Sequence, residues 1–119
     1  INTGGMGSIA PISISKKLYK KIQNQIVSPT IKMLIHNNYF YKGVLYIGLI
    51  IHNNNPYVLE YNVRFGDPET SSILPLLKND FVDLILSCIN GTLSEIDLEW
   101  DDKICLTKVL TSRGYPEKY

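Results

Sequence analysis

The sequence predicts an α+β fold in which an antiparallel sheet is flanked by helices. Gly43 to Ile51 (GVLYIGLII) is a continuous apolar run rich in β-branched and aromatic residues, the composition of a strand covered on both faces. The turn signal His52-Asn53-Asn54-Asn55-Pro56 separates it from Tyr57 to Asn62, where polar and apolar residues alternate, so the two runs read as a hairpin. Segments on either side carry apolar residues at helical spacing.

Taken in order, Thr3-Gly4-Gly5-Met6-Gly7-Ser8 places three glycines in four positions, which predicts a loop free to adopt positive φ and with backbone N–H groups unshielded by side chains. From Ser15, Leu18, Ile22 and Ile26 recur at spacing four while Lys16, Lys17, Lys20 and Lys21 fill the other face. This is an amphipathic helix capped by Ser13 or Ser15. Ser28-Pro29 either kinks that helix or starts a second one through Ile31, Leu34 and Ile35, because proline does not sit in an undisturbed helix interior. Tyr39, Phe40, Tyr41 and Tyr46 flank or enter the Gly43–Ile51 strand, which is expected to be central, and core packing is the default for all four. In the second strand, period-two geometry puts Val58, Glu60 and Asn62 on one face. Glu69 to Lys78 and Asp80 to Asn90 read as short helices, the latter stopped by Gly91, and Ile104 to Leu110 as a further strand.

Composition narrows the function classes. The 119 residues suit one domain or part of a larger one, given usual domain sizes of ~100–150 residues. Twelve Lys and Arg against eleven Asp and Glu leave a formal +1, so no net field draws the chain to nucleic acid or to an anionic membrane. The longest apolar run, Val44 to Ile51, is far short of the ~20 residues that span a bilayer. Cys88 and Cys105 both lie in apolar stretches and read as small buried hydrophobes in a reducing compartment, which places the protein in the cytoplasm. The chain opens at Ile1, without an initiator Met and directly before a glycine cluster, as a piece of a longer chain would.

The most informative segment is Glu60-Tyr61-Asn62-Val63-Arg64-Phe65-Gly66-Asp67-Pro68-Glu69. Alternation along a strand and its exit turns Glu60, Asn62 and Arg64 to the same side, so a carboxylate, an amide oxygen and a guanidinium share one volume. That trio suits a metal-bound polyphosphate: Mg²⁺ prefers oxygen ligands and needs only one or two from the protein, and arginine forks onto phosphate oxygens. From geometry alone, an exposed strand face with a Glu–Arg cross-pair is the competing reading. Asp67-Pro68-Glu69 equally describes a turn leading into an acidic first helical turn. The glycines at 4 to 7 match neither a P-loop nor a dinucleotide fingerprint and stand as a possible anion nest or a plain loop. No Ser, Cys or His stands where nucleophilic catalysis or zinc binding would need it.

Together, Asn2-Thr3-Gly4-Gly5-Met6-Gly7, the strand Gly43 to Leu49, Glu60-x-Asn62-x-Arg64-Phe65-Gly66-Asp67-Pro68-Glu69, and Ser112-Arg113-Gly114-Tyr115-Pro116 resemble the glycinamide ribonucleotide synthetases, the phosphoribosylamine–glycine ligases of purine synthesis, over essentially the whole chain. The Glu-x-Asn-x-Arg element is shared by many ATP-grasp ligases, and the flanking motifs select this one. The resemblance implies an ATP-grasp core fragment, with residues 1–103 the C-terminal part of the ATP-grasp domain and 104–119 the start of the following domain. An N-terminal domain and an ATP-gripping lid would precede it in the parent.

The resemblance also implies chemistry: ATP and Mg²⁺ (or Mn²⁺) phosphorylate the carboxylate of glycine, and 5-phosphoribosylamine attacks the acyl phosphate. By that analogy Glu60 and Asn62 hold the metal, Arg64 is catalytic and stabilises developing charge, and Gly4, Gly5, Gly7, Arg64, Asp67 and Glu69 bind substrate. One departure from the wider superfamily is that Gly43 to Ile51 holds no Asp or Glu, so a second metal would be poorly liganded there. The alternatives are another ATP-grasp carboxylate–amine ligase and a noncatalytic binding module that keeps the fold.

Overall fold

A computed structural model describes residues 3–117. The chain divides into two compact units: Ser13–Arg64 forms one, which contains the hairpin, and the stretches on either side of it form the other.

In the hairpin unit, helix α1 (Lys16–Ile22), a π-helical turn (Gln23–Val27) and helix α2 (Ser28–His36) follow one another without a break. Ser15 is the cap, its Oγ accepting the Leu18 N–H at 3.2 Å. Pro29 has no N–H to donate and its ring crowds the carbonyl four residues back, and the wider π turn just before it is a geometry in which a helix absorbs such a misfit. The prolyl segment therefore opens the second helix, α2, with Pro29 in its first turn, without interrupting the helical run. Leu18 and Ile26 are the buried apolar residues of this unit.

Strands β2 (Tyr46–His52) and β3 (Asn55–Asn62) pair antiparallel from His52↔Asn55 to Tyr46↔Asn62. Asn53 and Asn54 adopt φ of 49° and 58°, the two left-handed residues of a type I′ turn, whose twist matches that of the strands. Lys21 Nζ fixes this turn to α1, donating to the Asn54 carbonyl at 2.8 Å and to Asn55 Oδ1 at 2.7 Å.

Three expectations are corrected here. First, β2 starts only at Tyr46 and, among the described residues, pairs only with β3, with Ile50 and Ile51 exposed. An apolar run shows that a strand needs cover; it does not say which segment supplies it. Second, Tyr39 is exposed and Phe40 is 96% exposed, while the Tyr41 hydroxyl donates to the Val44 carbonyl. These aromatics shape the loop before β2 instead of filling a core.

Third, the β2–β3 ladder is irregular. Gly48 faces Glu60 and Leu49 faces Val58, so Leu59 is an extra residue, a β-bulge. Residues directly opposite in an antiparallel pair share a face, and neighbours along a strand do not. Glu60 and Asn62 therefore lie on the face of Gly48 and Tyr46, whereas Val58 lies with Leu49 on the other. That other face meets the helices: Tyr61 Oη stands 3.0 Å from Thr30 Oγ1, and Ile47 borders an apolar groove with Val27, Ile31 and Leu34.

In the second unit, strand β1 (Gly7–Ala10) pairs antiparallel with β4 (Cys105–Lys108), from Gly7↔Lys108 to Ala10↔Cys105. Helix α3 (Thr70–Ile73) runs into a 3-10 turn (Leu74–Leu76), and α4 (Phe81–Asn90) follows. Asp80 caps α4, its Oδ1 accepting the Val82 N–H at 2.8 Å, and Gly91 ends it at φ 79°. The loop expected at the glycine cluster thus gives way to a strand at Gly7. Leu76 and Ser72 are buried, and both cysteines are half-buried.

Candidate functional site

The sequence-predicted residues lie in both units: Glu60, Asn62 and Arg64 in the hairpin unit, and Gly4, Gly5, Gly7, Asp67 and Glu69 in the other. Each group is built by its own local structure.

On the hairpin, β3 carries Glu60 and Asn62 to the sheet face opposite to that packed by the helices. The strand ends at Asn62, so the period-two argument that joins Glu60 to Asn62 does not extend to Arg64, an exposed residue in the bend beyond. Asn62 is half-buried, and its Nδ2 is buried without a hydrogen-bond partner. A buried amide donor left unpaired costs ~1–3 kcal/mol, so this end of β3 carries a local cost in stability. The pair offers two hard oxygen donors of the kind a divalent metal prefers. Among the described residues no three His, Cys, Asp or Glu side chains gather to hold a metal.

In the other unit the loop Phe65 to Glu69 is held from several sides. Phe65 stacks at a tilt on Phe81, ring centroids 5.6 Å apart, and the Thr70 side chain and N–H both donate to the Gly66 carbonyl. Ser8 Oγ on β1 stands 3.1 Å from the Pro68 carbonyl and 2.8 Å from Ser72 Oγ, which donates onward to the Glu69 carbonyl at 2.9 Å. The result is an exposed Asp67 beside a buried Pro68 and a half-buried Glu69. Ser8 and Ser72, which lock the loop, carried no signal in the sequence, since a serine's partner on a distant strand is set only by tertiary structure.

The glycines require a different explanation from the one their cluster suggests. None of Gly4, Gly5 and Gly7 adopts a left-handed φ, so the alternation that makes an anion nest is absent. A Cβ on Gly5 would stand 2.7 Å from Pro68 Cδ, and one on Gly7 2.7 Å from the Thr107 carbonyl oxygen, whereas Gly4 has nothing within 4 Å. Glycine is needed at 5 and 7 because chain passes close by.

The profile of the phosphoribosylglycinamide synthetase ATP-grasp (A) domain matches residues 1–70, a span that contains every site residue above. The chain belongs to this family. It is 49% identical over 119 residues to a phosphoribosylamine–glycine ligase of Caldanaerobacter subterraneus, a match covering 99% of this chain and 28% of that protein. A bifunctional purine biosynthetic protein of Schizosaccharomyces pombe is 45% identical, with 99% of this chain and 15% of that one covered. Among solved structures, the phosphoribosylamine–glycine ligase of Thermotoga maritima superimposes with a TM-score of 0.81 at 40% identity, covering 98% of this chain and 29% of that one. The chain thus spans less than a third of the length of these relatives, and its helices and antiparallel strands are those of a phosphoribosylglycinamide synthetase. The Asn2 that begins the family-like NTGGMG motif lies outside the described residues. Among the described residues, no helix is long and apolar enough to cross a membrane.

Proposed function

We propose that this chain is the metal- and substrate-binding part of a cytoplasmic ligase that joins glycine to 5-phosphoribosylamine. ATP is consumed, and glycinamide ribonucleotide, ADP and phosphate are released. What supports the reading is that Glu60 and Asn62 share one sheet face, the one opposite the helices, in a chain of this family.

Glu60 and Asn62 hold Mg²⁺ or Mn²⁺ through their side-chain oxygens. When bound, the metal neutralises charge on the ATP phosphates and orients them. Arg64, just past the strand, supplies a fixed positive charge to the transferring phosphoryl group and to the acyl phosphate of glycine, a stabilisation that is strongest where charge develops. Asp67, Glu69 and the backbone N–H groups of Gly4, Gly5 and Gly7 line the binding region for glycine or phosphoribosylamine, where the locked Phe65–Glu69 loop presents its carboxylates without further ordering.

Titration of Mg²⁺ into the full-length protein at fixed ATP tests the metal pair. Glu60→Gln keeps the shape and one oxygen but removes a charge, so the Mg²⁺ needed for half-maximal rate rises and kcat falls. Asn62→Asp adds a charge that tightens the metal while repelling phosphate, so kcat falls with the opposite trend in metal requirement. Unchanged metal dependence in Glu60→Gln would sink the assignment.

A further inference from the structure

We infer that Gly48 is a positioning residue, kept without a side chain so that the Glu60 side chain can lie across β2 with its carboxylate turned to the metal. The inference rests on the metal reading above and adds to it a residue that touches neither metal nor substrate.

Gly48 sits in the middle of β2, opposite Glu60, at the point where the bulge interrupts the ladder. Its φ is not in the left-handed region, so the backbone does not demand glycine, and in a strand interior glycine is a weak choice that loses entropy and packs nothing. What a side chain would meet is specific. A Cβ there would stand 3.0 Å from Glu60 Cγ, 3.7 Å from Glu60 Oε1 and 3.6 Å from Tyr46 Cε1. Two of the three contacts belong to Glu60, and the closest is to the methylene that aims its carboxylate. Gly48 is buried, with the Glu60 side chain against it. Adding one methyl group moves the Glu60 stem by a few tenths of an ångström and turns the carboxylate, which sits one bond further out, by more. Metal sites register displacements of this kind: loss of an orienting partner typically costs ~10–100-fold in affinity.

The experiment measures Mn²⁺ binding to the full-length protein by the EPR signal of free Mn²⁺, at a fixed concentration of a non-hydrolysable ATP analogue, so no turnover is involved. Gly48→Ala, Glu60→Ala and the double variant are compared with the parent, and thermal unfolding is recorded for each. The expected result is a Gly48→Ala protein that unfolds no earlier than the parent yet binds Mn²⁺ about tenfold more weakly, and a double variant no weaker than Glu60→Ala alone, since with Glu60 truncated the methyl group has nothing to displace. Mn²⁺ affinity within twofold of the parent in Gly48→Ala overturns the inference while leaving the metal reading intact, and so does an equal further loss in the Glu60→Ala background. Unchanged affinity in Glu60→Ala overturns both. Should Gly48→Ala fail to fold alone but fold with Glu60→Ala, the contact is confirmed by that rescue; failure in both backgrounds makes the glycine structural and the inference wrong.

Discussion

Replacing Gly7 by alanine tests whether the glycine cluster serves close packing of backbone. The new Cβ would stand 2.7 Å from the Thr107 carbonyl oxygen and 3.7 Å from Lys108 Cα. The first distance is roughly 0.7 Å inside ordinary contact, and the obstacle is a backbone atom in a paired strand, which cannot rotate away; overpacking of this kind costs ~1–3 kcal/mol. Against it stands the smaller entropy that alanine loses on folding, worth ~0.5–1 kcal/mol, which leaves a net destabilisation of about 0–2.5 kcal/mol, about 1 kcal/mol at mid-range. With a urea m-value of ~1–3 kcal/mol/M for a small protein, the midpoint drops by something on the order of 1 M. Trp100 is the single tryptophan and bridges to Leu77 in the same unit as β1 and β4, so its fluorescence follows the affected unit in the 119-residue chain. Gly4→Ala is the internal control: nothing lies within 4 Å and φ is unstrained, so its midpoint stays level or rises by the equivalent of ~0.4–1 kcal/mol. A Gly7→Ala midpoint equal to or above that of Gly4→Ala would refute the packing explanation.

Two further outcomes follow. Arg64→Lys in the full-length protein keeps the charge and loses the planar fork, so kcat falls by about 10²–10³ with little change in the KM for glycine; a kcat within threefold of the parent would make Arg64 an ordinary surface charge. Lys103 Nζ lies 2.8 Å from Asp101 Oδ2, and that hydrogen bond holds the Asp101 carboxyl below its ordinary pKa and the Lys103 ammonium above its own. A depressed carboxylate contributes stability that is present above its unfolded pKa and lost as pH falls through the folded one; the raised ammonium's share is lost as pH rises through its folded value. Lys103→Met should therefore move the Asp101 midpoint upward in a side-chain carboxyl NMR titration and remove a small, salt-screened stabilisation between those limits. An unmoved midpoint would show that the pair does not persist in solution.

Local chemistry was readable from the residues. The Asn-rich turn, the serine cap of the first helix and the Gly91 stop each depend on residues within four positions of one another, and all three form where the sequence places them, the cap at Ser15. Features set by distant partners were not readable. Strand β1 exists because β4, at the opposite end of the chain, pairs with it, and nothing in GSIA announces that. The bulge at Leu59 is invisible to an alternation rule that assumes every residue has a partner; the rule puts Val58 with Glu60 and Asn62, whereas Val58 shares the face that meets the helices. The Glu60–Asn62 pair survived that error because the extra residue comes before Glu60. The apolar character of Tyr39 and Phe40 points to a core, but Tyr39 only borders the apolar groove that Val27, Ile31, Leu34 and Ile47 also line, and Phe40 is exposed.

The bulge also acts as a slip joint in the hairpin. Between the Asn53–Asn54 turn and Val58 the strands keep one phase; from Glu60 onward they keep another, and Leu59 takes up the difference. Loss of Leu59 would turn an irregular ladder into a regular one and leave Glu60 opposite Gly48, with Asn62 still on the same face. Gain or loss of a residue between Glu60 and Asn62 would send the carboxylate and the amide to opposite sides of the sheet. Position 59 can thus be lost without moving either side chain to the other face, while the spacing Glu60-x-Asn62 admits no drift at all.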